Sequence, residues 1–274
     1  MRVLVTGHRG STGAPVFEHL ERQGYEVAGF DLADGSDLLD LAAVTRAATG
    51  VDAIVHMGAI AHDSSGSPEQ IMAVNVLGTW HVLLAAEAAG IRKVIHFSSV
   101  QALGIAEGER LPDYFPVDDD HPRRAMRPYG LSKCLSEDLC AAVTRRTGIA
   151  TLSLRPVWIW GAEQYRSVRE QWRVNPESEW TPFWGYGWFI DVRDVADAVE
   201  KALKTPFSGH HRTVLCAADL AGSAPSLELA AKLAPTVQIR DSARYTADPW
   251  TALFDCSAAE SLLGWRPAHR WCER

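Results

Sequence analysis

Arg2-Val3-Leu4-Val5-Thr6-Gly7-His8-Arg9-Gly10-Ser11-Thr12-Gly13 begins the chain with a short apolar run and a glycine-rich turn, and residues 14 to 23 continue with the helix-like spacing of Phe17 and Leu20. The pattern is strand, turn, helix. Glycines at 7, 10 and 13 permit a tight turn and let a pyrophosphate approach the helix N-terminus, where N–H groups and the helix dipole favour an anion. A second strand, Val27 to Phe30, ends at Asp31, eighteen residues past Gly13. A carboxylate there would accept hydrogen bonds from adenosine ribose hydroxyls and repel a 2′-phosphate, so the pattern favours NAD over NADP. Arg9 keeps NADP open, because a guanidinium inside the turn can pair with a 2′-phosphate.

Outward from this unit, Ala53 to His56 and Lys93 to Ser98 read as a third and a fourth strand with amphipathic stretches between. Ala150 to Leu154 is a fifth, after a long helical segment from about Tyr129 to Thr147 that closes at Gly148. Strands alternating with helices give an α/β fold, a Rossmann-type doubly wound parallel sheet. From 158 to 188 the alternation fails and a loop-rich cap is expected. Short pieces then resume: Trp188 to Val192, a helix to about Leu203, a strand near Thr213 to Cys216, a helix from Ser226 and a last helix around Ser257 to Leu263. The expected division is a dinucleotide-binding domain at 1–157 and a small substrate-binding lobe at 158–274, with about 188–216 returning to the first domain. Tryptophan marks the same division, since of ten only Trp80 precedes residue 158.

The 274 residues, 47% hydrophobic and 22% charged, describe a globular chain and not a disordered one. Lys and Arg number 27 against 34 Asp and Glu, a net charge of −7 that offers nucleic acid no basic field. No uninterrupted apolar run approaches the roughly 18 residues of a membrane span, and no separate apolar leader follows Met1, so a cytoplasmic protein without a membrane partner is expected. The five cysteines, Cys134, Cys140, Cys216, Cys256 and Cys272, lack any C-x-x-C pair, and the ten histidines are scattered. Buried thiols and no metal site are the expectation.

Tyr129 and Lys133 stand four apart at the start of the long helix and project from one face. An ammonium beside a phenol favours the phenolate, and a positive nicotinamide adds to the field, so Tyr129 can act as acid or base near neutral pH against a reference pKa of about 10. Ser98 and Ser99 lie at the C-terminal end of the fourth strand, the side on which open parallel sheets bind ligands.

Further motifs are His56-Met57-Gly58-Ala59, Asn75-Val76-Leu77-Gly78-Thr79, Phe97-Ser98-Ser99 with Gly104, Leu154-Arg155-Pro156, Phe189-Ile190-Asp191-Val192-Arg193-Asp194-Val195-Ala196 and Leu262-Leu263-Gly264-Trp265-Arg266-Pro267. With them the sequence resembles, over nearly its whole length, the extended short-chain dehydrogenase/reductases, also called the NAD-dependent epimerase/dehydratase family. The resemblance implies that Ser99, five residues before Gly104, hydrogen-bonds a substrate hydroxyl and that Tyr129 takes its proton. Lys133 is then the partner of Tyr129 and a ligand of the nicotinamide ribose, and Asn75 the matching helix asparagine of the catalytic set. Implied cofactor contacts are Gly7, Arg9, Gly10, Ser11, Thr12 and Gly13, Asp31 at the ribose, Asp37 and Leu38 at the adenine, and Met57, Gly58 and Ala59. The helices near 68–89 and 129–147 imply a homodimer.

Departures from the family pattern narrow the reaction. Family dehydratases carry an acidic pair directly after the catalytic hydroxyl residue, whereas Val100 and Gln101 follow Ser99 and cannot transfer protons, which disfavours dehydration. Leu103 stands where the family usually has Tyr. A short second lobe suits a small carbohydrate-like substrate: a sugar, a sugar acid or a related hydroxy compound, with nucleotide sugars less well matched. Candidate substrate contacts are Gln101, Trp158 among the group Trp158, Trp160, Trp172, Trp180, Trp184 and Trp188, and Arg166. Aromatic planes can stack on a sugar ring, and Arg166 with Arg169 and Arg173 has helical spacing suited to gripping a carboxylate or diphosphate. The expected activity is NAD-dependent hydride transfer at a secondary alcohol or hemiacetal carbon. The alternatives are a sugar epimerase with recycled cofactor and, from another class, a non-catalytic dinucleotide-sensing protein.

Overall fold

The computed structural model describes residues 1–106, 108–180 and 187–271. Six strands lie parallel in one sheet: β1 (Arg2–Thr6), β2 (Glu26–Phe30), β3 (Ala53–His56), β4 (Lys93–Phe97), β5 (Ala150–Pro156) and β6 (His210–Leu215), in the order β2-β1-β3-β4-β5-β6. Val3, Leu4 and Val5, like Ile54 and Val55, are wholly buried. Burial on both faces is why these strands read as continuous apolar runs and not as alternating ones.

The crossovers are α1 (Gly13–Arg22), α2 (Leu41–Ala48), α3 (Pro68–Ala88) and α4 (Pro128–Thr147). Local chemistry sets their ends. Asp40 caps α2 by accepting from Ala43 N at 3.0 Å, and Ser67 and Gln70 form a reciprocal capping box at the start of α3. Gly148, at φ 76°, ends α4 in the left-handed region that glycine adopts without strain. Because β2 lies on one side of β1 and β3 on the other, the chain reverses direction across the sheet at that point, and a crevice opens beyond the strands' carboxyl ends. Among the described residues no strand lies outside β2; the chain passes from β2 through α2 directly to β3.

Two sequence expectations need correction. Residues 162–174, expected in a loop-rich cap, form α5 (Ala162–Val174), of which only Val168 is buried. Its apolar stripe is Tyr165, Val168 and Trp172, spaced i, i+3, i+7 and packed on the small core, a helical period set in an otherwise charged stretch. Second, α3 spans 21 residues and holds a window of mean hydropathy 1.4, long and apolar enough to cross a membrane, which a search for uninterrupted runs passes over. Its Ile71, Val82, Leu83, Ala85 and Ala86 are packed in the core, so the apolarity is that of a core helix.

Beyond α5 the chain returns to the main sheet. Helix α6 (Val192–Lys204) packs on α1, joined by a 2.7 Å hydrogen bond between His19 and Glu200, and β6 extends the sheet beside β5. Trp160, Val168, Phe189, Ala217, Ala221 and Trp271 form a separate small core under α5. Trp184 and Cys272 lie outside the described residues.

Candidate active site

The glycine turn is built for close approach. A Cβ at Gly7 would stand 2.6 Å from Gly58 N, and one at Gly13 would stand 1.9 Å from Gly7 O. Only hydrogen fits, so the turn lies directly against the loop after β3 and brings backbone amides to the cleft. The N-cap residue of α1, Thr12, makes no side-chain cap hydrogen bond, and at the helix start Ser11 is exposed and Thr12 half-buried. This bare N-terminus and close glycine packing fit a dinucleotide pyrophosphate.

At the end of β2, Asp31 accepts from Arg9 N at 3.0 Å through Oδ2 and from Ala33 N at 2.9 Å through Oδ1. Each oxygen retains a lone pair for a ribose hydroxyl. Asp34 holds the two basic groups of the turn: Oδ2 lies 3.1 Å from His8 Nε2 and Oδ1 lies 3.5 Å from Arg9 Nε. The His8 ring lies over Gly29, where a Cβ would come within 2.5 Å of it. Asp37 accepts from Leu39 N at 2.9 Å, and buried Leu38 packs on Gly58 and Gly78.

Behind the Met57–Gly58–Ala59 loop runs a directed chain of hydrogen bonds. Thr6 Oγ1 accepts from Met57 N and Gly58 N, so its own proton goes to His56 Nδ1 at 2.8 Å. His56 Nε2–H then donates to Thr79 Oγ1 at 3.0 Å, and Thr79 donates to Asn75 O at 2.5 Å. Burial, reinforced by the Lys133 charge, lowers the His56 pKa to about 3 and keeps the ring neutral. Asn75 sits in a π-helical turn, Met72–Leu77. Its Oδ1 accepts from Ile60 N at 2.8 Å, and its Nδ2 donates to Ile60 O at 3.0 Å and to Ser132 Oγ at 2.9 Å. These bonds make it a clamp between the β3 loop and α4 rather than a group that faces the cleft.

Ser99 follows β4 and accepts from Gln101 N at 3.1 Å through Oγ. The turn Val100–Leu103 after it lies directly on α4, because a Cβ at Gly130 would be 2.6 Å from Gln101 O. Tyr129 and Ser99 line the same cleft. The start of α4 is capped from another loop, with Tyr129 N donating to Asp63 Oδ1 at 2.7 Å. One turn on, Lys133 Nζ donates to Phe97 O at 2.7 Å and lies 5.6 Å from the centre of the Tyr129 ring. Burial lowers the Lys133 pKa to about 8, against the opposing pull of Glu137.

Beneath these residues lies a buried ion pair. Arg155 Nε and Nη2 each donate at 2.8 Å to the Glu137 carboxylate, which also accepts from Ser98 Oγ at 2.6 Å and from Arg123 at 3.4 Å. Glu137 and Arg155 are both 0% exposed. Burial alone would raise the Glu137 pKa, but the hydrogen bonds and charge of Arg155 prevail and leave it below the ordinary value.

One cleft of about 1140 Å³ contains the glycine turn, Asp31, Asp37, Leu38, Met57–Ala59, Ser99, Gln101, Tyr129, Lys133 and Trp158. It exceeds the roughly 300–1,000 Å³ of a pocket for a single small ligand. Trp188, one of the six tryptophans considered for the pocket, lines it as well, together with His62 and Gln164, which sequence reasoning did not single out as site residues. Asn75 and Arg166 do not. Arg166 is exposed on the outer side of α5, in a separate depression with Tyr165, Arg169 and Arg173. There Arg173 pairs with Glu170, and Arg169 lies 5.3 Å from the Trp271 ring centre. Helical spacing placed the three arginines together correctly; it could not say which way the helix faces.

Fold and cleft define a dinucleotide-dependent enzyme of the oxidoreductase type. The chain belongs to the NAD dependent epimerase/dehydratase family, whose model matches residues 3–217. A uronate dehydrogenase from Pseudomonas syringae pv. tomato is 29% identical over 221 residues, 76% of this chain and 72% of that one. The uronate dehydrogenase of Pseudomonas putida is 34% identical over 169 residues, 56% of this chain and 59% of that one. Among solved structures, a short-chain dehydrogenase/reductase superfamily protein from Agrobacterium tumefaciens with bound NAD superimposes with a TM-score of 0.73 at 24% identity, covering 98% of this chain and 93% of that one.

Proposed function

We propose that this chain is an NAD-dependent dehydrogenase acting at a secondary alcohol or hemiacetal carbon of a carbohydrate-like substrate. The observation that carries the reading is the meeting of Ser99, Tyr129 and Lys133 with the glycine turn and Asp31 in one cleft. The similarity to uronate dehydrogenases supports a carbohydrate substrate. When bound, NAD supplies a hydride acceptor at its nicotinamide ring.

The chain's own residues supply the rest. Ser99 Oγ already accepts from Gln101 N, so its O–H is left to donate to a substrate oxygen. Tyr129 takes the substrate hydroxyl proton. Lys133 favours the phenolate form in which Tyr129 accepts that proton and, with one donor fixed on Phe97 O, has others for ribose hydroxyls. Asn75 and Ser132 hold the β3 loop to α4 and thereby fix the spacing of the two walls. Exposed Leu77 on α3 and Leu131 and Leu135 on α4 support pairing of two copies through those helices. The four described cysteines are free, which fits a reducing cytoplasm.

The test is incubation with excess NAD and a panel of sugars, uronates and nucleotide sugars, following NADH absorbance with product analysis. NADH beyond one equivalent per subunit is expected. Converted substrate without net NADH would make the protein an epimerase instead.

Cofactor choice gives a separate prediction. Asp34 neutralises Arg9 beside the ribose position, so Asp34→Ser should free that guanidinium for a 2′-phosphate and tighten NADP binding by about tenfold. NAD affinity should change little, since Asp31 is retained. Calorimetric titration of both cofactors reads the ratio, and an unchanged ratio would show that Arg9 does not reach the phosphate.

A further inference from the structure

Helix α5 brings one amide to the cleft with its direction already set. Gln164 stands in the first turn of α5 and lines the cleft together with residues 156–159, the stretch that runs on from the end of β5. In the sheet β3 and β4 separate β5 from β1, so this stretch lies on the far side of the cleft from the glycine turn and Asp31. Gln164 Oε1 accepts from Gly161 N at 3.0 Å. A backbone N–H can bond only to the carbonyl end of the amide, which decides the flip and turns Nε2, with its two N–H donors, the other way. Among the described residues Nε2 has no hydrogen-bond partner, and it retains open surface. The side chain is half-buried, so a donor there gains from a ligand oxygen what bulk water does not already supply. Gln70 gives the contrast. It too lines the cleft with Oε1 turned on its own helix cap, Ser67 N at 2.8 Å, but it is exposed and water serves its amide.

The mount is rigid. Tyr165, Val168 and Trp172 of α5 pack on the small core, and Tyr165, next to Gln164, donates to Asp191 Oδ2 at 3.0 Å. Asp191 is held in turn by Arg193, and Ile159–Trp160, just before the helix, pairs in parallel with Ile190–Asp191. A donor carried on a packed helix and oriented by that helix's own backbone has little ordering left to lose when a ligand arrives.

Building on the hydride-transfer reading above, we propose that Gln164 is a specificity-determining residue whose Nε2 donates to a second oxygen of the substrate, one that does not react. Ser99 and Tyr129 engage the oxygen on the carbon that gives up hydride, and Gln164 engages an oxygen elsewhere on the same molecule. The substrate is thereby a compound with at least two oxygens. Sugars, sugar acids and cyclic polyols meet this requirement, and a monohydric alcohol leaves the donor unpaired.

The test sets parent compounds against analogues that lack one hydroxyl: glucose, galactose, glucuronate and galacturonate against their 2-, 3- and 4-deoxy counterparts, with cyclohexanol as a monohydric ring. NAD binding is followed separately by calorimetry, and product analysis identifies the oxidised carbon. For the best parent, the wild-type protein should lose about tenfold in kcat/KM with one analogue deoxygenated away from that carbon, the size of one hydrogen bond. Gln164→Met, which keeps the side-chain length without a donor, should lose the same factor on the parent and none on that analogue, so that their ratio falls to about one. The loss should fall on KM and leave kcat within about threefold. Any loosening of the start of α5 burdens both compounds alike and cancels in the ratio. A ratio that Gln164→Met leaves unchanged overturns the inference. So does a wild-type protein that turns over cyclohexanol or every deoxy analogue as readily as the parent, a result that needs no variant to fold. Turnover of none of these compounds by protein that binds NAD overturns instead the carbohydrate reading on which the inference rests.

Discussion

Tyr129→Phe is expected to lower kcat by at least about a hundredfold while the Kd for NAD changes by less than about threefold. The variant keeps the buried ring, and its backbone N–H still donates to Asp63 at the start of α4. Only the phenolic oxygen is lost, and with it the group that exchanges a proton with the substrate hydroxyl. Positioned acid–base groups contribute typically 10²–10⁴-fold, which sets the size of the effect. Lys133 remains on Phe97 O, so the cofactor side of the site is undisturbed. Steady-state rates and calorimetry on the same preparation separate the two quantities. Turnover within tenfold of wild type would assign the proton to another group, and His62 on the cleft wall would be the first to replace.

Glu137→Ala should cost about 3–5 kcal/mol of stability, a fall of about 6–10 °C in Tm for a chain of this size. The cause is what the substitution leaves behind. Arg155 has no exposure, and its two bonds to Glu137 are its close ion pair; without them the buried guanidinium keeps only the more distant Asp119 carboxylate, 3.9 Å away, among the described pairs. The double variant Glu137→Leu with Arg155→Met removes both charges and should recover much of the loss, as apolar replacement of a buried pair commonly does. The pH dependence follows from sign. Because the folded pKa of Glu137 lies below its unfolded value, the stability it contributes is present above that unfolded value and is lost as pH falls through the folded one. The Tm gap between wild type and Glu137→Ala should therefore narrow in acid. A gap that is small at neutral pH would mean that the pair is not what holds β5 against α4.

How much of this can be read without coordinates depends on how local the cause is. β1, the glycine turn and Asp31 are legible because an apolar run, three glycines and one carboxylate each act within a few residues. The third strand, Ala53–His56, and the last helix, Ser257–Leu263, are legible for the same reason. The Glu137–Arg155 pair is not legible in that way. Arg155 stands in the Leu154-Arg155-Pro156 motif, but Glu137 carries no motif of its own, and the hydrogen bonds join a helix to a strand across the core. Arg166 failed for a related reason: spacing gives the face of a helix, and only packing on Trp160 and Trp271 fixes where that face looks. Asn75 was assigned to the catalytic set by resemblance, and its three bonds to Ile60 and Ser132 give it a positioning part instead. Asp34 carried no motif; its part appears only once the turn after β2 brings it to His8 and Arg9.

Among the described residues the sheet stops at β2, and the turn after it, with Leu32 73% exposed, lines the cleft. The commonest dinucleotide-binding arrangement has one more strand there. With no described strand on that flank, the adenosine half of a dinucleotide would lie against the edge of the sheet, and its residence time would be set by a few hydrogen bonds rather than by the opening of a wall. Short residence suits a catalyst that must exchange spent for fresh cofactor on every cycle, and ill suits one that keeps a single cofactor through many turnovers.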